Sequence, residues 1–462
     1  MYTFQDLQNV GNDEKKRMRF VWACIQEHKD SPAFKFGLDA KRYYEGENPT
    51  LEKVQKIVYD MMGTAHVDAV SPNHKIYSRY FFQFVTQETQ YLLGNGVSFD
   101  NESVKESLGS DFDTQLQQLA DDAQIYGVGW GFWTGSKVAI LPFLQFKPLP
   151  DEYDGSIKAG VRFWQIATDK PLRAVLYELD GYTEYIQENG EEMRVLHPKR
   201  AYIETITTYP SANIPDEIID KQNFPSFPII PLYFINEKSA LFGNRPLLDA
   251  MDMVLSKMVN NIDEGNLVYW VLKNCNAMDE SDDMNFIVNL LKTHVMHVDG
   301  DEGASAEPHQ IEAPIQSTEV GIARLREQLF ANFLACDTDV IRAGNVTATQ
   351  IRAAYQNLDS KTAKFEYQVI SFIQKLLIVA GFDENERFTF RWDKTVNKQE
   401  EITSILQAAQ FLDDETVTRM ILETLGKVDL VDDVLKRREE QALAMFNLNA
   451  AQEAQNLPTE AE

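Results

Sequence analysis

Apolar positions organise the C-terminal half of this chain into long stripes. Leu247, Leu248, Met251, Val254, Leu255, Met258, Val259 and Ile262 recur at three- and four-residue steps with charged residues opposite. That spacing predicts an amphipathic helix. Asn244 and Pro246 precede the stripe as a cap and a first-turn proline. Ile322, Leu325, Leu329 and Phe333 repeat the pattern in a second helix. The longest stripe runs through Ile351, Tyr355, Leu358, Thr362, Phe365, Val369, Phe372, Leu376 and Val379, and Gly381 closes it. A stripe of this length means packing, in a core or against a neighbouring subunit.

Between the first two striped helices lies an insertion, Asn266 to Gln316. It holds strand-like pieces at Val268–Leu272 and Val295–Val298, one helix, and a Gly/Asp/Glu-rich loop at Asp299–Glu307. Asp337 to Ala348 carries Gly344-Asn345 and no apolar period. Further upstream, residues to about Asp60 read as polar helices, followed by helices over Tyr77–Leu93 and Thr114–Tyr126. The runs Val138–Phe146, Val161–Ile166, Ala174–Leu179, Tyr182–Gln187, Arg194–Leu196 and Ala201–Thr207 are rich in β-branched and aromatic residues. Asp180-Gly181 and Asn189-Gly190 fall between runs, where hairpins need positive φ, so an antiparallel meander is expected. Pro225, Pro228 and Pro231 then mark an exit and rule out a central strand. Arg387–Trp392 reads as a strand, and the remainder from Lys398 as acidic helices with a Gln/Ala/Glu-rich tail after Arg438. The fold class is α+β, and 462 residues call for two or more packed units.

The formal charge of −27 argues against a protein that grips nucleic acid, because phosphate binding needs clustered Lys and Arg. The charge is uneven. Asn276 to Glu319 holds ten acidic residues and one basic, whereas Asp337 to Ala380 holds four acids and five bases. No run of 18 apolar residues occurs; Val369–Phe382, the most apolar stretch of the last third, is broken by Gln374 and Lys375. The first residues lack the basic-then-apolar order of a secretion signal. Cys24, Cys275 and Cys336 fit no metal spacing and leave one unpaired in any disulfide scheme, which suits a reducing interior.

Catalytic signatures are weak. Gly127-Val128-Gly129-Trp130-Gly131 resembles the start of a dinucleotide fingerprint, but a helix precedes it and Phe132-Trp133 follow, so it reads as a turn. There is no Gly-x-x-x-x-Gly-Lys-Ser/Thr phosphate loop. His294 and His297 have no third ligand. Asp279-Glu280-Ser281-Asp282-Asp283 lacks the spacing of a calcium loop and reads as an acidic helix N-terminus. No cofactor, metal or enzymatic role is expected.

Several stretches, in order, resemble the portal proteins of long-tailed phages of Gram-positive hosts. They are Tyr91-Leu92-Leu93-Gly94 with Gly96; Ala123-Gln124-Ile125-Tyr126-Gly127-Val128-Gly129-Trp130; and Pro148-Leu149-Pro150-Asp151-Glu152. Ile230-Pro231-Leu232-Tyr233-Phe234-Ile235-Asn236-Glu237 leads into Leu248-Asp249-Ala250-Met251-Asp252, with Ser256, Asn261 and Asp263 following. Gly344-Asn345-Val346-Thr347-Ala348-Thr349 opens the long helix, departing at Thr347-Ala348 from the Ser-Gly of many relatives.

The resemblance implies a dodecameric ring with an N-terminal helical arm (1–60) and an α/β wing (61–243 and 349–396). It further implies a helical stem (244–265 and 317–336), an α/β clip (266–316), a tunnel loop (337–348), and an α-helical crown and tail (397–462). Asp337, Asp339, Arg342, Gly344, Asn345, Val346 and Thr347 would line the channel. Arg342 would either touch phosphate transiently or pair with a nearby Asp. Asp279, Glu280, Asp282, Asp283, Asp299, Asp301 and Glu302 would dock partners rather than DNA. Implied partners are further copies of the chain, the terminase large subunit, scaffolding and major capsid proteins, a head–tail adaptor, and double-stranded DNA passing through; no membrane is involved. The setting would be a capsid vertex assembled in the host cytoplasm. Rival readings are an acidic virion adaptor without a channel, and a hydrolase using the insertion's carboxylates.

Overall fold

Four capped helices open the chain. The computed structural model describes residues 1–59, 63–68, 71–188, 190–207, 217–265, 268–273, 305–310, 315–339, 348–393, 398–425, 427, 430–431, 433–438 and 440. Thr3, Asp13, Ser31 and Asn48 each accept a first-turn N–H, starting α1 (Phe4–Val10), α2 (Glu14–Asp30), α3 (Pro32–Glu45) and α4 (Pro49–Glu52). A small hairpin, β1 (Ile57–Tyr59) and β2 (Ala65–Val67), follows. Next come α5 (Tyr80–Leu93), β3 (Val97–Phe99), α6 (Glu102–Ser107) and α7 (Phe112–Tyr126).

The strands that follow are β4 (Val128–Trp133), β5 (Val138–Leu141), β6 (Phe146–Pro150), β7 (Ile157–Trp164), β8 (Leu172–Glu178), β9 (Gly181–Gln187) and β10 (Arg194–Arg200). β6 to β10 form a five-stranded antiparallel meander in sequential order, whereas Val138–Leu141 and Ile203–Thr207, expected in the same meander, lie in two other sheets. Gly181 (φ 132°) and Gly190 (φ 83°) supply the positive φ that its turns need. Phe20, Val21, Cys24 and Ile25 of α2 pack with Leu7 onto Leu149, Val161, Leu176 and Tyr185 of this sheet. The opening helices therefore share the sheet's core.

β11 (Ile203–Thr207) pairs with β12 (Glu217–Gln222), and β13 (Ile229–Tyr233) joins a three-stranded sheet in the order β13-β4-β5. One sequence reading changes here, and one holds. The glycine-rich stretch after α7 is not a turn beyond Gly127, which caps the helix at φ 92°. It is the central strand β4, because missing side chains let it lie close to two helices. A Cβ on Gly129 would sit 2.5 Å from the Leu119 carbonyl, and one on Gly131 2.8 Å from the Phe372 ring. The proline-rich stretch does form a strand, but an edge one. Pro231 removes a donor from β13, whose other side meets no strand among the described residues.

α8 (Arg245–Gly265) leads to β14 (Val268–Lys273), which pairs antiparallel with β15 (Ser305–Gln310) before α9 (Ile315–Phe333). Residues 305–307, read from sequence as loop, are thus strand; the pairing with Val271–Lys273 overrides their poor propensity. The expected strand at Val295–Val298 lies outside the described residues. α10 (Ala348–Ala380) is 33 residues long. Its face of Phe365, Val369, Phe372, Ile373, Leu376 and Leu377 fills the largest core, with Leu116, Leu119 and Ala123 of α7 and Val97 and Phe99 of β3. β16 (Phe388–Phe390) then pairs with β3. α11 (Lys398–Ala408) and α12 (Asp414–Thr424) follow.

The chain divides into two compact units, Met1–Ala335 with Asn357–Asp393, and Cys336–Gln356 with Lys394–Glu462. In the second, Asp413 caps α12 and Arg438 donates to the Thr418 hydroxyl at 2.7 Å. Among the described residues no helix is long and apolar enough to cross a membrane.

Candidate functional site

Most of the acidic and loop residues singled out in the sequence lie outside the described residues. These are Asp279, Glu280, Asp282, Asp283, Asp299, Asp301 and Glu302 of the insertion, and Arg342, Gly344, Asn345, Val346 and Thr347 of the loop. Asp337 is half-buried and Asp339 exposed, and the Asp339 N–H donates to Asp337 Oδ1 at 3.1 Å. What the structure does describe is the frame that presents them.

That frame is the pair α8 and α9. Leu248 and Met251 of α8 meet Leu329, Phe330 and Phe333 of α9 over Phe81, Phe84 and Val85 of α5. The Phe84 ring stacks on Phe333 at 4.5 Å and meets Phe330 edge-on at 5.1 Å. This burial is confined to the half of each helix nearest the body. Farther out, Ile262 and Ile315 are each 41% exposed, although they continue the apolar rows. β14 and β15 stand beyond, in register from Val268 opposite Gln310 to Lys273 opposite Ser305, so the insertion leaves and returns side by side.

The best-buried groups along the rest of α8 are polar. Asp252, Ser256 and Asn260 are 2%, 4% and 8% exposed. Asp252 accepts from Asn48 Nδ2 at 2.8 Å, from the Ser78 N–H at 2.8 Å and from the Ser78 hydroxyl at 2.5 Å. Burial raises its pKa, and the donors from Asn48 and Ser78 oppose that rise. Ser256 Oγ accepts from the Ile76 N–H at 2.9 Å, and Asn260 Oδ1 from the His74 N–H at 2.7 Å. At the start of the helix Arg245 pairs with Asp39 at 2.8 Å and donates to Thr50, while the Tyr43 hydroxyl donates to Asp249. The Asn244 side chain, expected as a cap, instead turns back to donate to the Ala240 carbonyl at 2.9 Å. Asp252, Ser256 and Asn260 stand at four-residue steps in the sequence, a polar row beside the apolar stripe.

Among the described residues no group of three His, Cys, Asp or Glu side chains is placed to hold a metal ion. A groove of about 390 Å³ lies between α2 and the end of β9, lined by Lys15, Met18, Arg19, Trp22, Glu191 and Met193 among others. Its charges are mixed, and it has no convergent polar set. His28, beneath Phe34, Phe143 and Phe163, is pushed down to about 4 by burial and is a neutral core side chain.

Beside this paired-helix frame on an α+β body, the match of the sequence itself identifies a phage portal protein, of a family of structural, non-enzymatic virion components of DNA packaging. Residues 38–444 match the family described as phage portal protein, SPP1 Gp6-like, and the chain belongs to that family. It is 25% identical over 428 residues to the portal protein of Bacillus phage SPP1, covering 87% of this chain and 79% of that one. It is 22% identical over 379 residues to the portal protein of Clostridium phage phiCD119, covering 74% and 77%. Among solved structures it matches a chain of the neck of a native GTA particle computed with C12 symmetry (TM-score 0.40, 11% identity, 74% of this chain and 89% of that one). A chain from the neck of an empty GTA particle gives a TM-score of 0.43 at 11% identity, covering 75% and 90%. The resemblance to portals of phages of Gram-positive hosts is thereby borne out.

Proposed function

We propose that this chain is one subunit of a dodecameric ring at a single capsid vertex, through which double-stranded DNA is packaged and later ejected. Membership of the portal family over residues 38–444 carries the reading. Ile262 and Ile315, left exposed toward the outer ends of α8 and α9, support it, since a neighbouring copy in a ring would cover them. In this reading α8 and α9 are the stem, the insertion is the clip, and α11 and α12 belong to the crown.

Asp337, Asp339, Arg342, Gly344, Asn345, Val346 and Thr347 form the tunnel loop. A duplex slides only where counterion release is small, so a channel in a chain of charge −27 with a near-neutral loop favours passage over capture. Arg342 is the loop's own cation and its candidate for passing phosphate contact. The clip carboxylates, Asp279 to Asp283 and Asp299 to Glu302, repel phosphate and form a docking surface for the terminase large subunit and then the head–tail adaptor. Scaffolding and major capsid proteins surround the ring in the assembled vertex.

Negative-stain imaging of the purified full chain, with light scattering for mass, tests this. The expected result is closed rings with a central hole. A stable single-chain species at high concentration overturns it and favours an acidic adaptor without a channel.

A further inference from the structure

Residues 72–79 form neither helix nor strand, yet three of their backbone N–H groups are taken in turn by α8. Ser78, Ile76 and His74 donate to Asp252, Ser256 and Asn260. The strap runs antiparallel to the helix, and the arithmetic explains why all three rungs form together. Alternate residues of an extended chain aim their N–H groups to one side and advance about 6.7 Å. Four residues of an α-helix advance about 6 Å. The two repeats therefore drift by only about 1–2 Å across three rungs.

The helix thus has two unlike attachments. Toward α9 it is held by apolar packing, whose driving force is non-directional. Toward the strap it is held by hydrogen bonds to acceptors that are 8% exposed or less. A slip of one rung leaves the Asp252 carboxylate buried without the Ser78 donors, and that is strongly unfavourable.

We propose that residues 74–78 are a register clamp on the stem helix, and that Asp252, Ser256 and Asn260 are positioning residues that set its axial position and rotation. Through α8 they fix where the acidic insertion stands. The purpose assigned to the clamp rests on the portal reading; its geometry does not. One consequence is that α8 up to Asn260 moves with the strap as a single body, so movement of the insertion starts beyond Asn260.

Hydrogen–deuterium exchange on the full chain tests it, with S256A/N260A, N260D and I76P beside the wild type. I76P removes one donor from the strap without altering α8, and proline suits the extended backbone there. Each lost hydrogen bond is expected to speed exchange across 74–78 several-fold to about tenfold, while peptides of β7–β9 stay unchanged. N260D, which keeps the acceptor, is expected to match the wild type at His74. Rings of S256A/N260A and I76P are expected to assemble but to package less than about a tenth of the wild-type DNA. Unchanged exchange in both variants overturns the clamp, and so does fast exchange with normal packaging. A wild-type chain that forms no ring strikes the portal reading instead, leaving exchange to judge the clamp.

Discussion

Lys361 of α10 and Glu88 of α5 form an ion pair inside the body, with Glu88 fully buried and Lys361 8% exposed. Desolvation raises the Glu88 pKa even though Lys361 pulls it down. A pair like this adds little to stability compared with an apolar replacement, but removing one partner strands a buried charge. Lys361→Met is expected to destabilise the chain by about 3 kcal/mol at pH 7.5. The loss should be smaller at acid pH, where Glu88 takes a proton, and adding Glu88→Leu should recover most of it. Urea denaturation at two pH values checks all three points. A second site responds to pH in a defined direction. Burial pushes Asp121 up to about 6 and Asp122, beside it and near Lys41, up to about 7. Folded values above the unfolded ones mean that ionisation opposes the fold. Stability is whole below about pH 4 and falls as pH climbs through 6 to 7. Asp122→Asn should therefore raise the melting temperature at pH 8 and leave it unchanged at pH 4, read by circular dichroism.

At the scale of elements, legibility followed the strength of the local signal. The hairpins of the five-stranded sheet were readable because Asp180-Gly181 and Asn189-Gly190 punctuate runs rich in β-branched and aromatic residues. The helices α8, α9 and α10 were readable from their apolar steps. β4 was not, because the Gly129 and Gly131 that make it resemble a turn are there for tertiary reasons, the approach of Leu119 and Phe372. The strap over α8 left no trace either, since its contacts use backbone N–H groups, which every residue but proline carries. Half of the candidate site was thus visible in Asp252, Ser256 and Asn260, and its other half was not encoded in residue type. The glycines lend themselves to a paired test. Gly131→Ala drives a methyl against the Phe372 ring and should cost about 1–3 kcal/mol. Gly321→Ala, in the interior of α9 with nothing within 4 Å, should instead stabilise by about 0.5–1 kcal/mol. Chemical denaturation of both variants decides whether backbone approach or helix propensity governs each position.

For the whole molecule, the charge pattern along the sequence divides the proposed ring into two kinds of segment. In the proposed ring the tunnel loop tolerates a moving duplex, and the clip excludes it while receiving protein. Deleting residues 339–344 is expected to leave rings intact in micrographs and abolish DNA packaging in vivo; normal packaging by such rings would remove the loop from the channel. Replacing Asp279, Glu280, Asp282 and Asp283 by Asn or Gln is expected to preserve the ring and lose partner binding, measured by co-sedimentation with purified terminase. Retained binding would move the docking surface elsewhere.

The pairing of β16 with β3 ties residues 388–390 to 97–99, and the face of α10 completes a core begun by α7. On the ribosome, the nascent chain must therefore wait for residues 365–390 before that core can close. Until Phe365 to Leu377 have left the exit tunnel, Leu116, Leu119 and Ala123 lack part of their cover, which makes early release or truncation a route to aggregation. In the proposed ring, a protomer cannot present a finished body to its neighbours until residues 365–390 have been made and folded.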